Sequence, residues 1–156
     1  MKTEDVIDTI NTLMETSRDG ELGFRNVAEK TQSTQLRALC MRRAEECALA
    51  AADLATCVRQ LGGQPDAGGS ASGALHRGWA ALRSSVTGTT ELTMLEDCER
   101  GEDMAMERYR RALQTDLPEP ERTLVTRQFE GLQRNHAEVR ALRDQERAQR
   151  HRQHAA

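Results

Sequence analysis

Four long stretches of the chain repeat apolar residues every three or four positions, which is the spacing of an amphipathic helix. Alternating patterns typical of strands do not extend beyond a few residues. Prolines and glycines separate the stretches. In chain order, the predicted helices run from about Glu4 to Lys30, from about Thr34 to Leu61, from Thr89 or Thr90 to the LPEP sequence at 117–120, and from about Pro120 to beyond Arg147. The chain is therefore predicted to be all-α.

The lengths of the connections predict how these helices are arranged. The first and last connections are short, so each joins an antiparallel helical hairpin. The middle connection, residues 62–88, is long and contains a segment, residues 74–85, that is predicted to form a short helix with Trp79 as its anchor. Since a helix of about 26 residues spans roughly 39 Å, this connection can return along the whole bundle.

We therefore expect a ferritin-like four-helix bundle with a long crossover between the second and third helices. A plain up-down-up-down bundle is the alternative. The bundle is expected to occupy residues 1–147. The basic stretch 148–156 lacks an apolar stripe and is expected to be a frayed or disordered tail.

The third helix carries acids within its apolar stripe. Glu99 and Glu102 occupy two positions of a face whose other members step by three and four residues: Leu92, Leu95, Met106, Tyr109 and Leu113. An ionised carboxylate buried without compensation costs several kcal/mol. The pattern therefore predicts a nearby group that neutralises these acids.

In the crossover arrangement, polar residues of all four helices are predicted to share one level at mid-bundle. Carboxylates and imidazole are good ligands for iron, manganese and zinc, and bundle cores hold two-metal sites built from them. Position 49, where such a site would have a second histidine, is Leu49, and Gln133 stands where a carboxylate is expected. The candidate ligands are Glu21, Glu46, Glu99, Glu102 and His136, with Gln133 as a weak sixth. The alternative is a core of salt bridges to Arg43, on the inward face of the second helix.

Five blocks of sequence resemble one known family. They are DGELGF (19–24), ALHRGW (74–79), CERGED (98–103), YRRAL (109–113) and NHAEVRALRD (135–144). From about residue 3 to about 145, the chain resembles the small bacterial ferritin-like four-helix-bundle proteins catalogued as a domain of unknown function. The resemblance implies a ferritin-like fold with no established reaction. It also maps the di-iron carboxylate site of the wider ferritin-like group onto Glu21, Glu46, Glu99, Glu102 and His136.

Composition narrows the functional classes. The chain has 156 residues, which fits one domain, and a net charge of −3, which gives no basic field for nucleic acid. No signal segment and no apolar run of membrane-spanning length are present, so we expect a cytoplasmic protein without membrane contact. Four cysteines without CxxC spacing are expected to be small buried hydrophobes. The sequence contains neither a catalytic triad nor a nucleotide-binding motif, either of which would indicate an enzyme.

The leading expectation is a small metal-binding bundle. It would hold one or two transition-metal ions, with iron first and manganese or zinc as alternatives, for metal handling or oxygen- or peroxide-linked oxidation. A second hypothesis is a metal-free, non-enzymatic bundle that acts in stress response or binds a protein partner. A third is a homodimeric scaffold, because pairing an outer face would stabilise a bundle so poor in aromatic residues.

Overall fold

The computed structural model describes residues 1–66 and 90–155, which form four helices and, within these ranges, no strand. The helices are α1 (Thr3–Lys30), α2 (Thr34–Gln60), α3 (Glu91–Gln114) and α4 (Glu119–Ala155). Apart from the end of α4, these bounds agree with the predicted ones within two residues. The short helix predicted over 74–85 lies outside the described residues. None of the described helices is long and apolar enough to cross a membrane.

Each hairpin is closed by an arginine that caps the preceding helix. The last carbonyls of a helix have no partners within that helix and need donors from elsewhere. Arg37 of α2 donates to the carbonyls of Ala28 and Thr31 at 3.2 and 2.6 Å. Arg122 of α4 donates in the same way to the carbonyl of Thr115, at 2.5 Å. The same arrangement therefore fixes both turns.

Two apolar clusters, one towards each end of the bundle, establish the direction of the helices. The first joins the first halves of α1 and α4 to the second halves of α2 and α3, and includes Val6, Ile10, Leu54, Val58, Met106, Tyr109, Val125 and Leu132. The second joins the opposite halves and includes Phe24, Val27, Leu36, Cys40, Met94, Leu95 and Val139. Hence α2 and α3 are parallel, and α2 ends at the opposite end of the bundle from the start of α3. The predicted crossover is confirmed.

The end of α4 differs from the prediction. The sequence predicts a frayed or disordered tail over residues 148–156, whereas α4 continues to Ala155. The added turns contain mainly alanine, arginine and glutamine, which are strong helix formers. Arg150 also lies 3.6 Å from Glu146, one turn earlier. Local propensity thus extends the helix beyond Leu142, which packs against the second apolar cluster.

The same substitution, leucine to alanine, at two positions of α2 tests this packing. Leu54 is fully buried, whereas Leu49 is 66% exposed. Leu54→Ala is expected to lower the free energy of unfolding by about 2–5 kcal/mol, because it leaves a cavity in the core. Leu49→Ala is expected to change it by less than about 0.5 kcal/mol. Urea unfolding followed by circular dichroism measures both values, and equal losses would contradict the assigned faces of α2.

Candidate functional site

Of the six predicted ligands, Glu102 alone is buried, with its side chain 1% exposed. The side chains of Glu21 and Glu46 are 28% and 44% exposed. Each accepts from an arginine of its own helix, Arg25 at 2.9 Å and Arg43 at 3.2 Å. Arg42 also lies 3.6 Å from Glu46, so both acids have arginine partners near the surface.

The remaining three predicted ligands lie on α3 and α4. Gln133 is exposed. The side chains of Glu99 and His136 are 17% and 13% exposed, and Glu99 accepts hydrogen bonds from Arg143. The six residues thus do not form the single buried layer that the sequence predicts.

On three helices, the residue that faces the core is a sequence neighbour of the predicted ligand. The buried residues are Gly20 on α1, Cys47 on α2 and Asn135 on α4. The predicted ligands next to them are Glu21, Glu46 and His136. The three buried residues carry no charge, so their burial avoids the cost of removing an ion from water. Burial raises the pKa of Cys47 to about 11, which keeps its thiol protonated. A shift of one position on each helix therefore removes two carboxylates and one imidazole from the core.

Glu102 is held by two side chains from different helices. Asn135 of α4 donates to its Oε2 atom, and Nε of Arg43 of α2 lies 3.7 Å from the same oxygen. Its Oε1 atom has no hydrogen-bond partner among the described residues. Burial raises the pKa of Glu102 to about 7, Asn135 and Arg43 oppose this rise, and the charges of Asp103 and Glu99 add to it.

These residues do not fit a two-metal centre in the core. Such a centre needs several carboxylate or imidazole ligands facing one another across the bundle. Here the counter-charge of Glu102 is the guanidinium of Arg43, whose side chain is 11% exposed. A guanidinium is always protonated and has only donors, so it takes the place of a cation and cannot bind one.

A second polar group joins all four helices. The Tyr109 hydroxyl lies 3.3 Å from Ser17 Oγ and donates to Gln128 Oε1 at 2.8 Å. The Gln128 amide in turn donates to the carbonyl of Ala50 at 3.3 Å. Burial raises the pKa of Tyr109 to about 12, which keeps the hydroxyl a donor. The Tyr109 ring stacks on Phe129 at a centroid distance of 6.4 Å, so this residue is part of the core.

Both polar groups line one cavity of about 250 Å³ at mid-bundle. Every helix also contributes small residues to its wall: Gly20, Ala50, Gly101, Ala105 and Gly131. At Gly20 an added Cβ atom would lie 3.1 Å from Cys47 Sγ, so this glycine allows α1 and α2 to pack closely beside the cavity.

A group of three further ligand atoms lies between α3 and α4. Carboxylate oxygens of Glu99 and Asp103 and a ring nitrogen of His136 all lie within 4.8 Å of one another. His136 Nε2 and Asp103 Oδ1 are 2.7 Å apart. No other such group occurs in the ranges 1–66 and 90–155. Sequence reasoning missed Asp103, although its i,i+4 spacing from Glu99 places both on one face of α3.

Comparisons with known proteins support the fold. A family model described as "Domain of unknown function (DUF2383)" matches residues 5–115. Two solved structures from Mycobacterium smegmatis are similar: a point mutant of Dps1, with a TM-score of 0.74, 18% identity and coverage of 90% of this chain and 96% of that one, and a C-terminal deletion mutant of Dps, with 0.72, 18%, 90% and 98%. Among curated proteins, no sequence matches.

The elevated pKa of Glu102 predicts how stability depends on pH. The pKa in the folded chain, about 7, exceeds the ordinary value of 4.5, so the folded chain binds this proton more tightly than the unfolded chain. The resulting contribution to the free energy of unfolding is full below about pH 4.5 and is lost as the pH rises through 7. Between pH 5 and pH 8, this decrease in the free energy of unfolding is on the order of 2–3 kcal/mol. Glu102→Gln is expected to abolish the decrease.

Urea unfolding at a series of pH values, with EDTA present, measures this effect. Glu46→Gln is the matched control, because it removes a carboxylate whose side chain is 44% exposed. The control is expected to keep the pH dependence of the unmodified chain. Identical pH profiles for Glu102→Gln and the unmodified chain would contradict the assignment.

Proposed function

The chain belongs to the family described as "Domain of unknown function (DUF2383)". We propose that it binds a single divalent transition-metal ion outside the bundle core, between Glu99, Asp103 and His136. The observation that carries the proposal is the approach of their three ligand atoms to within 4.8 Å of one another. Two carboxylate oxygens and one imidazole nitrogen suit iron, manganese and zinc. Of the residues predicted from sequence, the proposal retains Glu99 and His136.

Arg143 is the group that competes with a metal ion here. Its guanidinium is bound to both oxygens of Glu99. It also donates to Asp144 at 3.1 and 3.3 Å, so it has a second acceptor on its own helix. Arg143 can therefore release Glu99 to an ion while it keeps one ion pair.

The position of the group favours exchange of the ion over permanent storage. The Asp103 side chain is 59% exposed, and three protein ligands leave further coordination positions to solvent. A bound ion would supply Lewis-acid or redox chemistry. The residues of the chain hold the ion at the surface, which suits metal handling, with oxygen- or peroxide-linked oxidation as the related possibility. We propose a cytoplasmic location, since all four cysteines are free and buried.

A metal-free bundle that binds a protein partner or a second copy of itself is the competing function. Cross-helix ion pairs favour it, because they neutralise acids without an ion. Besides Arg143 and Glu99, Arg42 lies 2.6 Å from Glu138 and Arg147 lies 3.7 Å from Glu96. Under this hypothesis, the group of three ligand atoms is part of a surface ion-pair network.

Calorimetric titration of chelator-treated protein with Mn²⁺, Zn²⁺ and, without oxygen, Fe²⁺ separates the two functions. We expect one ion per chain, and at least about tenfold weaker binding in His136→Ala and Asp103→Asn, because the first loses a ligand and the second loses the negative charge of a ligand. His151→Ala, which alters an exposed histidine of the same helix, is expected to bind normally.

Arg143→Ala is expected to change metal affinity in the opposite direction from His136→Ala and Asp103→Asn. It is expected to tighten binding, because it removes the guanidinium that competes for Glu99. The metal-free function instead predicts no binding by the unmodified chain. Binding that is unchanged in His136→Ala would equally overturn the proposed site.

A further inference from the structure

The mid-bundle cavity has the features of a binding site for a small molecule. Its volume of about 250 Å³ exceeds the roughly 150 Å³ that suffices to bind benzene in an apolar protein cavity. Its walls combine apolar surface from Phe24 and Leu132 with polar atoms at a few positions. Pockets for small ligands generally show this combination.

Two residues that line the cavity each have a buried polar atom without a hydrogen bond to the described part of the chain. Among the described residues, neither Oε1 of Glu102 nor Nε of Arg43 has a hydrogen-bond partner. Buried polar atoms are nearly always paired, because an unpaired one has lost its hydrogen bonds to water without replacement. The two groups lie side by side, with Arg43 Nε 3.7 Å from the second carboxylate oxygen of Glu102. Both residues line the cavity, so a small shift of their side chains would bring an acceptor and a donor to one planar head group.

The walls also show how a ligand would enter. Glu46 and Arg134, which are exposed, line the cavity from α2 and α4. The cavity is thus reached between these two helices. Gly131 lies on the same side, and an added Cβ atom there would make an ordinary contact with the end of the Arg134 side chain, at 3.6 Å.

We propose that this cavity binds a small molecule with an apolar body and a planar head that both donates and accepts hydrogen bonds, of the chemical class of an aromatic carboxamide. The head donates to Glu102 and accepts from Arg43, and the body contacts Phe24 and Leu132. The site is separate from the proposed metal site, since none of the three metal ligands lines the cavity. Either proposal can fail without the other.

Benzamide is the probe, measured by calorimetry and by chemical-shift changes on the full chain without added metal. We expect saturable binding, and at least about tenfold weaker binding in Glu102→Leu, which removes the acceptor. Glu102→Gln is the matched control and is expected to retain most of the affinity, because its amide still forms hydrogen bonds. Gly131→Leu is expected to weaken binding, because Gly131 lines the cavity and a leucine adds volume there.

Three results would overturn the proposal. The first is an absence of saturable binding, which means that the cavity holds water only. The second is equal affinity for toluene and benzamide, which means that the polar head makes no contact. The third is equal loss of affinity in Glu102→Leu and Glu102→Gln. Should Gly131→Leu not fold, the comparison of the two Glu102 variants decides the outcome.

Discussion

The cost of removing a single carboxylate from water governs the centre of this bundle. Glu102 is the buried acid of the predicted polar layer, and its compensation by Asn135 and the guanidinium of Arg43 is incomplete, since one oxygen has no hydrogen bond among the described residues. More carboxylates at this level would raise one another's pKa and add to the cost. The neighbouring acids Glu21 and Glu46 instead remain near the surface, each beside an arginine.

Because of this constraint, apolar packing and polar side chains occupy different parts of the fold. Apolar clusters towards the two ends of the bundle supply the packing, whereas the middle contains polar groups, small residues and a cavity. The chain of hydrogen bonds through Tyr109 and Gln128 connects the four helices where apolar contacts are replaced by open space. The proposed cation site and the proposed small-molecule site thus lie in different places, the α3–α4 surface and the interior.

The fold could be predicted from the sequence because periodicity and connection length report directly on burial and topology. The site was harder to predict from the sequence, because one face of a helix is wide enough to include two adjacent residues. Asn135 and His136 both fit the stripe of α4, and it is Asn135 that is buried, where its amide donates to Glu102. Asp103 was missed because it is exposed and belongs to no apolar stripe. Its partnership with His136 depends on the register of α3 against α4, which the sequence pattern does not fix.

The central claim is that a guanidinium and an amide, and not metal ions, compensate the buried carboxylate. Anomalous diffraction from crystals soaked in Mn²⁺ tests it most directly, because the ion's position is observed. The account predicts a peak beside Glu99, Asp103 and His136 and none beside Glu102. A pair of peaks at mid-bundle next to Glu102, with Arg43 displaced, would contradict it.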